Sequence, residues 1–297
     1  MANITAQQVQ KLRETSGAGM MDCKVALVEA NGDFDKAIQL LREKGKASAA
    51  KKAGRSTSQG LVGVWISGDG KKGSAVEINC ETDFVARTKD FLDFTQVVAK
   101  VAGENGIKSV DQLLTQKIGS DTVESSLKER IGKLGENIKI KKVAVLGGNG
   151  NAGLIEDYVH APIEAAPLCG TLGVILEVKT DKNTEDVKTL ARELCMQVAA
   201  ANPKWISKED VPADIIEQEK AIYKEQCKQS GKPEQAWDKI MTGKLNDFFK
   251  QFCLLEQGHI RDSSGKTPVG TIVKQVADKT GSPLSVKGFA RLKMGEE

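Results

Sequence analysis

The sequence predicts an α+β chain: a bundle of three short helices, then two related β-β-α-α-β units, the second interrupted by a helical hairpin. Three observations carry this. Apolar residues in the first 45 positions recur at helical spacing between start and stop signals. A small, basic segment without large apolar residues follows at 46–59. Beyond it, β-rich and helical runs alternate in an order that occurs twice, each time over roughly a hundred residues, as an internal duplication requires.

Thr5 with Gln8 three residues on forms a capping box, Val9 and Leu12 share a face, and Gly17-Ala18-Gly19 ends the first helix. The second carries Cys23, Ala26 and Leu27 and stops at Asn31-Gly32. Asp33 caps the third, which buries Phe34, Ala37, Ile38 and Leu41 and is expected to stop at Gly45. Residues 1–45 thus read as a docking module and 46–59 as a linker. Leu61 to Ile66 and Ser74 to Ile78 flank Gly68-Asp69-Gly70, a hairpin signal. Helical spacing takes over at Phe91, Phe94, Val97, Val98 and Val101, another helix ends near Leu134-Gly135, and Ile138 to Val145 reads as a strand, closing a unit over 60–150.

The unit over 151–297 repeats this order. Gly153-Leu154-Ile155 parallels Gly60-Leu61-Val62, Glu177-Val178 parallels Glu77-Ile78, and the final strand from Leu284 to Leu292 mirrors Ile138 to Val145. Its insertion, about 212–252, places Ile215, Ile222 and Tyr223 on one helix and Trp237, Met241, Leu245, Phe248 and Phe252 on another, with Ser230-Gly231-Lys232-Pro233 between them. These stripes can pack on each other or also recruit a second chain, giving a homodimer.

Composition narrows the function. A chain of 297 residues, 40% hydrophobic and 28% charged, suits about two globular domains. No apolar run reaches the ~20 residues of a membrane span, and no secretory leader precedes the first helix, so the expected location is cytoplasmic. A net charge of +3 falls short of the excess expected of a nucleic-acid binder. Lys51, Lys52 and Arg55 could touch RNA, although a short basic run is more often a solvated linker. Six cysteines without a CxxC pair and two histidines outside any ligand spacing predict neither a disulfide framework nor a metal site. Two GxGxxG matches, at Gly68, Gly70, Gly73 and at Gly148, Gly150, Gly153, lack the following helix that would seat a pyrophosphate, and they read as hairpin turns. No cofactor is expected, and nothing marks an enzyme.

The segment Glu77-Ile78-Asn79-Cys80-Glu81-Thr82-Asp83-Phe84-Val85-Ala86-Arg87 leaves a strand and reaches an Asp-Phe pair just before a helical stretch. Either Thr82 or Asp83 caps a helix and Phe84 is core, or the segment is a wedge presented to another protein. His160 ends a strand beside Tyr158, as a surface residue or a contact.

EINCETDFVAR, together with LRETSGAGMMDCK at 12–24, resembles the two signatures of the elongation factor Ts family, guanine-nucleotide exchange factors for elongation factor Tu. The resemblance spans essentially the whole chain and implies a UBA-like bundle, a duplicated core and a coiled-coil protrusion implicated in self-association. It implies that Thr82, Asp83, Phe84 and Val85 approach the magnesium and phosphate site of elongation factor Tu. Leu12, Met20 and Met21 match docking residues of the N-terminal module, and Tyr158 and His160 match a strand facing another domain of the partner. The chain departs from the family pattern at Val25, in a longer turn over Pro162 to Cys169, and at Gly258-His259-Ile260.

Overall fold

A computed structural model describes residues 4–148, 153–231 and 233–296; Gly150 of the second glycine motif and Lys232 of the hairpin turn lie outside them. The chain begins with α1 (Ala6–Ser16), α2 (Met20–Glu29) and α3 (Phe34–Lys52). Both halves of the capping box form: Thr5 Oγ1 accepts from the Gln8 N–H at 3.2 Å, and Gln8 Oε1 accepts from the Thr5 N–H at 2.9 Å. Gly17 closes α1 in the left-handed region, and Asp33 accepts from the Lys36 N–H at 3.0 Å to open α3. Leu12, Cys23, Leu27 and Ala37 are the buried centre of this bundle.

The first sheet unit runs β1 (Gln59–Ile66), β2 (Lys72–Cys80), α4 (Asp83–Ala86), α5 (Lys89–Asn105), α6 (Val110–Thr115), β3 (Lys117–Ile118), β4 (Asp121–Thr122), α7 (Val123–Leu134) and β5 (Ile138–Gly147). The second runs β6 (Gly153–His160), β7 (Cys169–Gly170), β8 (Leu172–Thr180), α8 (Glu185–Ala201), α9 (Ala213–Gln229), α10 (Glu234–Phe252), α11 (Val269–Thr280) and β9 (Leu284–Lys293). The chain is α+β. Two antiparallel sheets, β5-β2-β1-β7 and β6-β8-β9, lie face to face. The first glycine motif is the β1–β2 turn, with Gly73 already in β2 and no helix after it.

The continuous apolar run of β1 has a simple cause: both its faces are covered. Leu61 packs among the residues of α5, while Val62 and Val64 meet Ala75, Ile155 and Ile175 between the sheets. Gly173 of β8 lets the sheets approach, since a Cβ there would lie 2.7 Å from methyl carbons of both Val62 and Val64. Outside this double layer, α5 contributes Phe91, Phe94 and Val98 to the first core and α8 contributes Leu190, Leu194 and Val198 to the second, giving a helix–sheet–sheet–helix stack.

The two sheets share an irregularity. In β5 the register skips Lys141, because Glu77 faces Lys142 while Ile78 faces Ile140; in β9 it skips Lys287, because Glu177 faces Gly288 while Val178 faces Val286. Glu77 is fully buried at its bulge, where it accepts from the Gly295 N–H at 3.0 Å with Lys141 Nζ 3.8 Å away.

The stop expected at Gly45 is overturned. The helix α3 continues to Lys52 because its small residues let it lie directly on α7: Ala49 is buried in the first core, and a Cβ on Gly132 would come within 2.8 Å of Gly45 Cα. Tertiary packing outweighs the local breaker signal. The same contact ties part of the basic stretch to the first unit, since Lys52 Nζ donates to the Ile131 carbonyl of α7 at 3.4 Å and the exposed Arg55 pairs with Glu81 at 3.4 Å.

Within the insertion, α9 and α10 pack on each other, with Lys244 over the Tyr223 ring and Ile222 left exposed. Trp205, Phe248 and Phe252 form an aromatic cluster at its base. His259 is buried nearby; its Nδ1 accepts from the Arg261 N–H and its Nε2 lies 3.6 Å from Glu193.

Candidate functional site

Between β2 and α5 the chain makes a single helical turn, α4. Thr82 is its N-cap, accepting the Val85 N–H at 3.4 Å, and Thr88 ends it by donating to the Val85 carbonyl at 2.8 Å while capping α5. One turn has two sides. Val85 packs against the first core and Ala86 is buried in it, so Asp83 and Phe84 point out. Phe84 is 80% exposed. The alternative that made Phe84 a core residue is therefore overturned, whereas its helix cap is Thr82. An exposed phenyl ring forgoes about 1.5–3 kcal/mol of burial, which a folding role leaves unexplained.

Beneath the turn, Cys80 Sγ donates to the Thr82 carbonyl at 3.1 Å. Burial pushes its thiol up to about 12, with the nearby carboxylates of Glu136 and Asp83 adding to the effect. This sulfur is a protonated structural group, not a nucleophile.

On the bundle, the buried face of α2 is Cys23, Ala26 and Leu27. The opposite side carries Met21, Val25 and Val28, all exposed, Met21 at 68%, and Met20 is exposed as the first residue of the helix. Met21, Val25 and Val28 follow i, i+4, i+7 spacing and so form one apolar stripe. Leu12 is not part of it. It is wholly buried in the bundle, so its place in an interface is corrected to that of a support behind α2. Sequence reading missed Val28 as a surface residue, although the helical period of α2 contains the signal: once Cys23 and Leu27 face inward, it must face out with Val25.

Tyr158 and His160 lie on β6, an outer strand of its sheet, two residues apart and therefore on one face. Tyr158 is half-buried against the second core, His160 is exposed, and Tyr158 Oη is 3.1 Å from His160 Nδ1. Ala161 then turns in the left-handed region at φ 49°, and the lengthened turn folds back so that β7 pairs with β1 in the other sheet. Arg87, at the end of α4, and Pro162 to Ala165 border one shallow groove. The turn after His160 is thereby brought beside the foot of α4, whereas Met20 and Met21 remain on the separate bundle.

Among the described residues, no cluster of three or more His, Cys, Asp and Glu side chains could hold a metal ion, and no helix is long and apolar enough to cross a membrane.

Residues 81–296 match the protein family described as Elongation factor TS. The chain is 42% identical to elongation factor Ts of Clostridium botulinum (strain Eklund 17B / Type B) over 294 residues, covering 99% of this chain and 93% of that protein. It is 42% identical to elongation factor Ts of Prosthecochloris aestuarii over 299 residues, covering 99% of this chain and all of that one. With Clostridium kluyveri elongation factor Ts the identity is 43% over 296 residues, covering 99% and 93%. A one-turn helix presenting Asp83 and Phe84, an apolar stripe on α2 and similarity along nearly the whole chain converge on one conclusion: the chain belongs to the elongation factor Ts family.

Proposed function

We propose that this chain is a guanine-nucleotide exchange factor for elongation factor Tu in translation elongation, acting in the cytoplasm without cofactor or bond chemistry of its own. The observation that carries this is the exposed Phe84 beside Asp83 on a capped turn, in a chain of this family. Exchange requires only a surface that binds the nucleotide-free partner more tightly than the nucleotide-bound one, and that coupling is reciprocal. In this reading Met20 and the α2 stripe that begins at Met21, with Leu12 behind them, grip the nucleotide-binding domain, and Tyr158 and His160 engage a second domain. Docking on two sides drives Thr82 to Val85 toward the magnesium and phosphate site. Phe84 pries at the structure supporting the metal, and Asp83 competes for its hydrogen bonds. A coupling of ~4 kcal/mol would lower nucleotide affinity about a thousandfold in the complex. GTP then refills the empty site and releases the factor.

We read the bundle as a UBA-like module and the two sheets as halves of a duplicated core. The matching bulges at Lys141 and Lys287 support that duplication, because two unrelated sheets have no reason to share one. The test of function is stopped-flow release of a fluorescent GDP analogue from elongation factor Tu. Release should accelerate with factor concentration and saturate; no acceleration of an active partner overturns the reading.

A further inference from the structure

A ring as exposed as Phe84 has little packing of its own to set its direction, and α4, at four residues, is too short to be stable alone. Its orientation must come from the backbone that carries it. That backbone is held by a residue from a different part of the chain. Glu136, between α7 and β5, accepts from the Glu81 N–H at 3.1 Å and from the Thr82 N–H at 3.0 Å with one carboxylate oxygen, and from the Thr82 hydroxyl at 2.5 Å with the other. Having donated to Glu136, the Thr82 hydroxyl has its lone pairs free to accept the Val85 N–H and cap α4.

The clasp is reciprocal. Glu81 Oε1 accepts from the Asn137 N–H at 2.6 Å, and Asn137 Nδ2 donates to the carbonyls of Ala53 at 3.3 Å and Arg55 at 2.8 Å. The pair Glu81-Thr82 thus grips Glu136-Asn137 just past the last rung of the β2–β5 ladder, Cys80 opposite Ile138, and the same knot holds the chain that leaves α3. Charged acceptors make it strong, because hydrogen bonds to a carboxylate are about twice as strong as neutral ones.

We propose that Glu136 is the positioning residue for the Asp83–Phe84 wedge: by fixing the Thr82 hydroxyl and two amides it aims Phe84 and ties that aim to the trailing end of α3. This rests on the exchange reading above. The test compares Glu136→Ala, Glu136→Gln, Phe84→Ala, Asp83→Ala and the double variant Glu136→Ala/Phe84→Ala in GDP-release kinetics, separating maximal rate from half-saturating concentration. Glu136→Ala should lower the maximal rate about tenfold while half-saturation moves less than about threefold, the pattern of a lost transition-state rather than binding contact. Glu136→Gln, whose amide oxygen still accepts both N–H groups, should fall between, and it carries the test if the alanine variant does not fold. Because Glu136 acts through the Asp83–Phe84 wedge, the double variant should lose less than the product of the two single losses. Amide hydrogen exchange at Thr82 and Val85 should quicken in Glu136→Ala. A wild-type maximal rate in both Glu136 variants, or additive losses in the double variant, overturns the proposal while a slow Phe84→Ala leaves the wedge standing. Wild-type rates in both Phe84→Ala and Asp83→Ala instead overturn the wedge, and the positioning role with it.

Discussion

Gly45 of α3 and Gly132 of α7 meet backbone to backbone, but their missing side chains are not equivalent. A methyl group on Gly132 would lie 2.8 Å from Gly45 Cα, whereas one on Gly45 would find only the Lys128 carbonyl oxygen, at 3.9 Å. Gly132→Ala should therefore destabilise by about 1–3 kcal/mol, since no side chain can move aside to relieve the clash. Gly45→Ala should stabilise by about 0.5–1 kcal/mol, the ordinary gain of alanine over glycine inside a helix. Urea unfolding of the two variants checks the opposite signs.

Phe84 and Phe91 sit seven residues apart on opposite sides of the stability question. Phe84→Ala should leave the unfolding free energy within about 0.5 kcal/mol, as expected of an exposed side chain. Phe91, wholly buried, should cost about 3–5 kcal/mol when cut to alanine. Thermal melts distinguish them.

Met21 and Val28 are exposed and Leu12 is not. A Met21→Ser/Val28→Ser variant should fold normally yet need at least about tenfold more factor to half-saturate nucleotide release, because two apolar anchors of about 1.5–3 kcal/mol each are lost. Leu12→Ala should lower the stability of the bundle by about 2–5 kcal/mol, which circular dichroism of the variant reports.

Two aspartates should give pH dependences of opposite sign. Asp262 accepts from the Thr267 N–H and from the hydroxyl and N–H of Ser264, which holds its carboxyl well below the usual range. Its folded form binds its proton less readily than its unfolded form, so its stabilisation is present above the unfolded value of about 3.9 and fades as pH falls below it. Burial raises the Asp157 carboxyl, an effect Arg192 only partly offsets. Here the folded form holds its proton more readily, so stability rises as pH falls through the raised value. Asp157→Asn should accordingly melt higher than wild type at pH 7, and Asp262→Asn lower. Melting curves between pH 3 and 7 check both.

Cys80 should resist alkylation in the native state. With its thiol near 12, only about one molecule in ten thousand carries the reactive thiolate at pH 8. Mass spectrometry after iodoacetamide should find Cys80 modified in urea and intact without it.

Local chemistry was legible and long-range chemistry was not. The caps at Thr5 and Asp33, the turn after Ile66 and the strand from Ile138 are written in neighbouring residues, and each forms as its spacing predicts. Gly45 misleads because the contact that keeps α3 going lies on α7, far along the chain. At Phe84, the helix-start signal of Thr82 is the same whether the ring that follows faces in or out; only the burial of Val85 and Ala86 decides it. Glu136 gave no signal, because its partners Glu81 and Thr82 are more than fifty residues earlier.

The bond between Glu77 and Gly295 joins residues 218 positions apart, and this imposes an order on biosynthesis. At about 5–20 residues per second, a ribosome that has made Glu77 needs on the order of 10–40 s more to reach its partner. Throughout that interval the first sheet has a carboxylate whose burial cannot be completed. The nascent half-molecule must keep this side chain hydrated, so the final closure of the first unit is timed by the synthesis of the last.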